Sequence, residues 1–343
     1  MDASRHDRAL AALLGLAVGD ALGMPTQELS RARAEQLLGA GPVLLEGPAD
    51  NPVCPGLAAG SVTDDTAQAL LLARLLVDGH GRVDPHDLAD RLLGWETAMA
   101  ARGSLDLLGP STKAALLAVR GGADPATTGR AGTTNGAAMR VAPVGVATPP
   151  EPLAALVDAV VAAGQVTHDT GTAHAGAAAV AAVVAAGVDG AAFDAALPLA
   201  VRAAREAGLR GARPDDQDVA GRIEAALALV RSGARGGRPA ADGGSALLDA
   251  VATRVGTTLA THESVPAAFA VAALAAGDPW RAAWFGARLG GDADTVAAMA
   301  GACVAACTGT AALPPDVVAQ VVAVNGLDLG PLVEGLLALR AAR

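Results

Sequence analysis

The sequence predicts an all-α protein, and three observations carry that prediction. Apolar residues make up 52% of 343 positions, yet Phe, Trp and Tyr together supply only 2%, with no Tyr at all. A core of Ala, Leu and Val suits helices packed at short distance and suits a β-sheet poorly. Apolar runs of helical length alternate with Gly, Pro, Ser and Asp at the places where helices start and stop. No stretch alternates apolar and polar residues between hairpin turns, and no period of 20 to 50 residues repeats.

In chain order, Asp7 to Gly23 reads as a first helix. Its apolar run follows Arg5 and Arg8 as a secretory leader would, but Asp2 and Asp7 spoil the positive flank, so a core helix is the reading. Ser30 opens a short helix to Leu38, and Gly39 to Gly60 is a long aperiodic connection. Connections of that length usually serve function, here as wall or lid of a site near Thr63. Thr66 to Val77 is helical, Asp84-Pro85 starts a helix to about Ala101, and Ser111 caps one through Val119. Gly121 to Gly136 reads as loop. After a break at Pro149 to Pro152 come helices to Ala163, over Thr170 to Gly187, over Ala191 to Ala207, and an amphipathic one over Asp215 to Val230. Helices resume near Ala246, Val265, Pro279 and Thr295, and two more close the chain.

Ser232 to Gly244 is low in complexity and reads as a flexible solvent loop inside a single domain spanning 1–343. The formal charge of −10 argues against a phosphate-tracking nucleic-acid surface. No apolar run reaches the ~18 to 20 residues of a membrane span without a Gly or charge interruption. Three cysteines give no disulfide framework, and a cytoplasmic setting is expected.

Two short stretches carry chemistry. Ser61-Val62-Thr63-Asp64-Asp65-Thr66 and Gly290-Gly291-Asp292-Ala293-Asp294-Thr295 each place two carboxylates and a threonine at the start of an apolar helix. One oxygen-bearing side chain suffices for an N-cap, so the second carboxylate is surplus. No Lys or Arg lies between Leu57 and Gln68 or between Leu289 and Ala300. If the clusters converge, their carboxylates raise one another's pKa unless cations intervene. Oxygen ligands favour Mg²⁺, Mn²⁺ or Ca²⁺ over zinc. Ordinary N-caps with spare surface acids account for either cluster alone; the recurrence points to a metal site.

These clusters, with Gly19-Asp20-Ala21-Leu22-Gly23, Asn135-Gly136-Ala137-Ala138-Met139-Arg140 and Thr167-His168, occur in the order found in ADP-ribosylglycohydrolases, which the chain resembles from about Leu13 to Ala306. That family includes the enzyme that removes ADP-ribose from dinitrogenase reductase. The resemblance implies a helical bundle with a binuclear Mg²⁺ or Mn²⁺ centre at the floor of a cleft. It makes Thr63, Asp64, Asp65, Asp292, Asp294 and Thr295 metal ligands, and sets Gln27, Asn135, Gly136 and His168 along the substrate. Asp64, Asp65 and Asp292 become the catalytic candidates, with Asp65 the proton acceptor because adjacent carboxylates can divide metal binding from proton transfer. The implied partner is a ribosyl or ADP-ribosyl substrate, including an ADP-ribosylated protein. Asp20 reads as a brace near the metals.

Three departures bear on the substrate. Many members have Glu four residues after the GDALG stretch, where this chain has Gln27; Glu28 follows and faces elsewhere if the backbone is regular. Only Phe193, Phe269, Phe285, Trp95, Trp280 and Trp284 could stack an adenine. The Asp that often precedes a Gly before a Thr-bearing helix is replaced by Leu107, with Asp106 one place off. These departures suit an N- or O-ribosidase with a smaller substrate, and a non-catalytic metal-binding relative is a further alternative. Terpenoid synthases share Asp-rich helices, but their carbocation cavities need aromatic walls.

Overall fold

The computed structural model describes residues 2–101, 105, 108–213, 215–233 and 244–343. Among these there are eighteen α-helices and no β-strand; the sole ladder contacts are isolated bridges, Thr134 with Ala260 and Thr170 with Ala212. The helices are α1 Ala3–Gly23, α2 Arg31–Leu38, α3 Asp64–Asp78, α4 Pro85–Ala101, α5 Pro110–Arg120 and α6 Pro125–Thr128. Then come α7 Gly136–Met139, α8 Ala142–Ala147, α9 Leu153–His168, α10 Gly171–Val188, α11 Phe193–Ala207 and α12 Val219–Gly233. The last six are α13 Ser245–Arg254, α14 Thr261–Leu274, α15 Pro279–Ala287, α16 Ala293–Thr308, α17 Pro315–Asn325 and α18 Gly330–Ala341. The all-α class predicted from composition is the class observed.

Local differences have physical causes. The fifth helix starts at Pro110 with Gly109 as its cap rather than at Ser111, since proline's fixed φ suits a first helical turn. The stretch expected as loop holds a single turn, α6, capped by Asp124 with Pro125 at its first position. The helix expected to stop at Ala163 runs on to His168, so Thr167 and His168 end α9 while His174 lies in the first turn of α10. Most of the expected Ser232–Gly244 loop, residues 234–243, falls outside the described residues.

Every residue of α10 is buried, and it forms the axis against which α8, α9, α11 and α16 pack. By length and apolar composition alone, Ala3–Thr26 and Gly171–Val188 could each cross a membrane. In the fold, 94% and 100% of their apolar windows are covered by other helices.

The packing that builds the site is α1 on α16. Gly15, Gly19 and Gly23 recur every four residues and so line one face of α1. A Cβ at Gly19 would lie 2.3 Å from Ala297 O, and one at Gly23 would lie 2.4 Å from Asp294 Cα. From the other side, a Cβ at Gly301 would lie 2.3 Å from Gly15 O. Backbone meets backbone along this seam, and the seam delivers the start of α16 beside Asp20 and the start of α3.

Candidate metal and substrate site

The starts of α3 and α16 come together. Thr295 Oγ1 lies 3.3 Å from Asp65 Oδ2 and 3.3 Å from Asp292 Oδ1. Neither N-cap residue, Thr63 nor Asp292, spends its side chain on capping its own helix. The cap of α3 comes instead from Asp20, which is fully buried on α1. Its carboxylate accepts from Thr63 N and Thr66 N at 3.0 Å, from Thr63 Oγ1 at 2.7 Å and from Thr66 Oγ1 at 2.5 Å. Asp20 is thus the brace anticipated from sequence, and it frees the side chains at the start of α3 from capping.

The cluster is short of hydrogen-bond donors. Thr63 has one hydroxyl hydrogen, and its 2.7 Å bond to Asp20 takes it; the 3.3 Å approach of the same Oγ1 to Asp65 Oδ2 then sets oxygen against oxygen. Thr295 has one hydrogen for two carboxylates. Asp65 Oδ1 is buried with no hydrogen-bond partner. Burial first, then the charges of Asp294, Asp20, Asp64 and Asp292, push the Asp65 carboxyl well above the usual range. Asp292 is pushed up to about 6, chiefly by burial and further by Glu28, against hydrogen bonds from Asn135 and Thr295. Among the described residues, no three His, Cys, Asp or Glu side chains form a ready-made ligand group; the oxygens here are divided between carboxylates and threonine hydroxyls.

Above the cluster opens a cavity of about 290 Å³, with Asp64, Asp292, Asp294 and Thr295 in its lining. Asp65 is fully buried behind them. Gln27, Asn135 and Gly136 line the cavity. Asn135 donates to Ser264 Oγ at 2.9 Å and to Asp292 Oδ2, so it holds Asp292 in place. His168 is fully buried and sits behind the wall, because Gly132 and Gly136 leave room for its ring beneath the backbone. The residue between ring and cavity is Thr134, whose Oγ1 is 2.9 Å from His168 Nε2.

Glu28 departs from expectation. It adopts φ +58° and lines the cavity alongside Gln27. The left-handed turn that brings it there is held by Glu28 N donating to Gly291 O at 2.7 Å and Gly291 N donating to Leu29 O at 2.8 Å. None of the six aromatic residues lines the cavity; among the described residues its apolar wall is Val53, Leu105, Leu108, Pro110, Met139 and Leu259. Asp106 and Leu107 lie outside the described residues.

Sequence reasoning missed Gln68 and Arg140, which reach the same cluster from below. Gln68 donates to Asp64 Oδ2 at 2.6 Å, and Arg140, 1% exposed, donates to Gln68 Oε1 at 3.0 Å and to Thr167 Oγ1 at 2.5 Å. An arginine four residues after the Asn135-Gly136 pair, amid apolar neighbours, was the available signal, since a guanidinium enters a core only with partners.

The ADP-ribosylglycohydrolase family model matches residues 1–343. An uncharacterized Escherichia coli (strain K12) protein, YegU, is 36% identical over 339 residues, covering 99% of each chain. The ADP-ribosyl-[dinitrogen reductase] glycohydrolase of Rhodospirillum rubrum is 34% identical over 173 residues, 48% of this chain and 53% of that one. A solved structure of an ADP-ribosylglycohydrolase-related protein complex superposes with a TM-score of 0.62 at 27% identity, covering 98% of both chains. With the match running from end to end and the acidic helix starts meeting across α1, the chain belongs to the ADP-ribosylglycohydrolase family.

Proposed function

We propose that this protein is a metal-dependent hydrolase of ADP-ribosyl groups, acting in the cytoplasm as one domain. The observation that carries the reading is the donor-poor carboxylate cluster at the cavity floor, where Asp65 and Asp292 share one threonine hydrogen and Asp65 Oδ1 has no partner. Oxygens of this kind fit a hard cation. Thr63, Asp64, Asp65, Asp292, Asp294 and Thr295 would hold two Mg²⁺ or Mn²⁺ ions. Asp20 takes the Thr63 hydrogen and so leaves that oxygen's lone pairs for a cation. When bound, such ions supply Lewis acidity and a template for ribose hydroxyls and water.

The chain's own groups do the rest. A water oxygen bonds to C1 of the ribose as the C1–aglycone bond breaks, and the aglycone leaves with the bonding electrons and takes up the proton that the water gives to the proton-accepting carboxylate. Positive charge develops at C1, and Asp64, Asp292 and Asp294 face it from the cavity floor. Asp65, the first choice for proton acceptance on sequence, is closed off from the cavity, so we assign that role to Asp292. Asn135 orients its Oδ2, while Thr295 links its Oδ1 to Asp65.

A second reading, hydrolysis of a smaller N- or O-riboside, draws on the cavity wall. Among the described lining residues there is no Lys, Arg or aromatic ring to grip a diphosphate or stack an adenine. One product assay decides between them: ADP-ribosyl-arginine, ADP-ribosyl-serine and simple nucleosides, each with Mg²⁺ or Mn²⁺. Release of free ADP-ribose from either of the first two supports the main reading. Turnover of nucleosides alone transfers the assignment to the second, and no turnover of any with the ions bound overturns both.

A further inference from the structure

We propose that Thr134 is a substrate-binding residue whose hydroxyl hydrogen is aimed into the cavity by a one-way hydrogen-bond relay from Arg140 through Thr167 and His168. The proposal rests on reading the cavity as a ribosyl site.

The direction of the relay follows from what each group can do. A guanidinium only donates, so Thr167 Oγ1 accepts from Arg140 at 2.5 Å. The hydrogen on Thr167 then has two acceptors within range, His168 Nδ1 at 2.8 Å and Gly164 O at 3.4 Å. Distance selects the imidazole. Electrostatics agrees, because an accepting Nδ1 turns the negative end of the ring dipole toward the buried guanidinium. A neutral ring that accepts at Nδ1 carries its hydrogen on Nε2. That N–H donates to Thr134 Oγ1, 2.9 Å away. The Thr134 hydroxyl, its oxygen already engaged, has no other partner among the described residues, and the side chain is half-buried in the cavity wall.

The ring is kept neutral by burial, then by Arg140 and His174, all of which hold its pKa well below the ordinary value. Its position is fixed as well. A Cβ at Gly136 would lie 2.8 Å from His168 Cε1, so only glycine leaves room for the ring there. The backbone around Thr134 is fastened to the segment before α14 by Asn135 N donating to Leu259 O at 2.9 Å and Thr261 N donating to Thr133 O at 3.2 Å.

The chemical consequence is a donor where the cavity is rich in acceptors. Glu28, Asp64, Asp292 and Asp294 present carboxylates, and the amide hydrogens of Asn135 are spent on Ser264 and Asp292. A hydroxyl hydrogen aimed inward there, like the unpartnered amide nitrogen of Gln27, selects a ligand with an oxygen acceptor, as a ribosyl phosphate or ribose carries.

Two measurements on the full chain test this separately. Long-range ¹H–¹⁵N spectra of histidine-labelled protein, assigned with His168→Gln, should show a neutral Nε2–H ring from pH 6 to 8. An Nδ1–H tautomer or an imidazolium overturns the relay. Calorimetric titration with ADP-ribose in Mg²⁺ should show Thr134→Val binding about tenfold more weakly and Thr134→Ser within about twofold of wild type, the scale of one hydrogen bond. Equal affinity for Thr134→Val overturns the substrate contact. Wild type that binds no ADP-ribose while the ring shows the Nε2–H form overturns the ribosyl reading of the cavity and leaves the relay standing.

Discussion

The cavity floor and the wall behind Thr134 are both buried and polar, and they solve the same electrostatic problem in opposite ways. The wall is largely satisfied as it stands: Arg140, Gln68, Thr167, His168 and Thr134 hydrogen-bond in one continuous chain, with Arg140 Nε the atom of that chain left without a partner. The floor is not, because several carboxylates compete for the hydrogens of Thr63 and Thr295 and Asp65 keeps an oxygen with no donor. Burial shifts both toward neutrality, lowering the pKa of His168 and raising those of Asp65 and Asp292. Groups that are finished before a ligand arrives give rigidity. Groups left short of partners are the ones the proposed cations would satisfy.

The sharpest way to break this contrast is at Asp292. Replacing it with Asn should lower turnover about a thousandfold, the scale of one transition-state electrostatic contact, while the fold survives because Asn135 and Thr295 can hydrogen-bond to an amide. Steady-state rates alongside thermal melts check this, and retained full activity removes Asp292 from the reaction. Next in size is the seam that assembles the floor. Gly19→Ala forces a Cβ to 2.3 Å from Ala297 O and should cost about 3 kcal/mol by overpacking, read from denaturant unfolding. A neutral result would mean that α1 and α16 can separate without loss.

A smaller effect follows from cation removal. Free Mg²⁺ at a hundred times its Kd should stabilise the fold by about 2.7 kcal/mol, so EDTA should lower Tm. An unchanged Tm would make the floor as self-sufficient as the wall. The smallest effect sharpens the comparison through pH. Without cation, Asp292 titrates near 6 when folded against an ordinary 3.8, so it contributes stability below about pH 4 that is lost as pH rises toward 6. His168 shifts downward from 6.5, so its contribution is lost as pH falls below 6.5. The Tm gain on adding Mg²⁺ should therefore widen as pH rises from about 4 through 6. A gain that is constant with pH would place the cation away from these carboxylates.

The sequence by itself determined the local chemistry: which segments are helices, that two helix starts carry surplus carboxylates, and that no aromatic stock exists for a stacking wall. Those features depend on residue type and short-range spacing, which a linear pattern records. Tertiary structure alone decided that Asp20 caps a helix more than forty residues away, that a left-handed turn brings Glu28 to the cavity, and that His168 stands behind Thr134 rather than in the cavity lining. The four-residue spacing of Gly15, Gly19 and Gly23 was legible, but not the backbone it meets. Each of these depends on which backbone another can approach and where a buried polar group finds its partner. Both are settled by the closing of helices far apart in the chain.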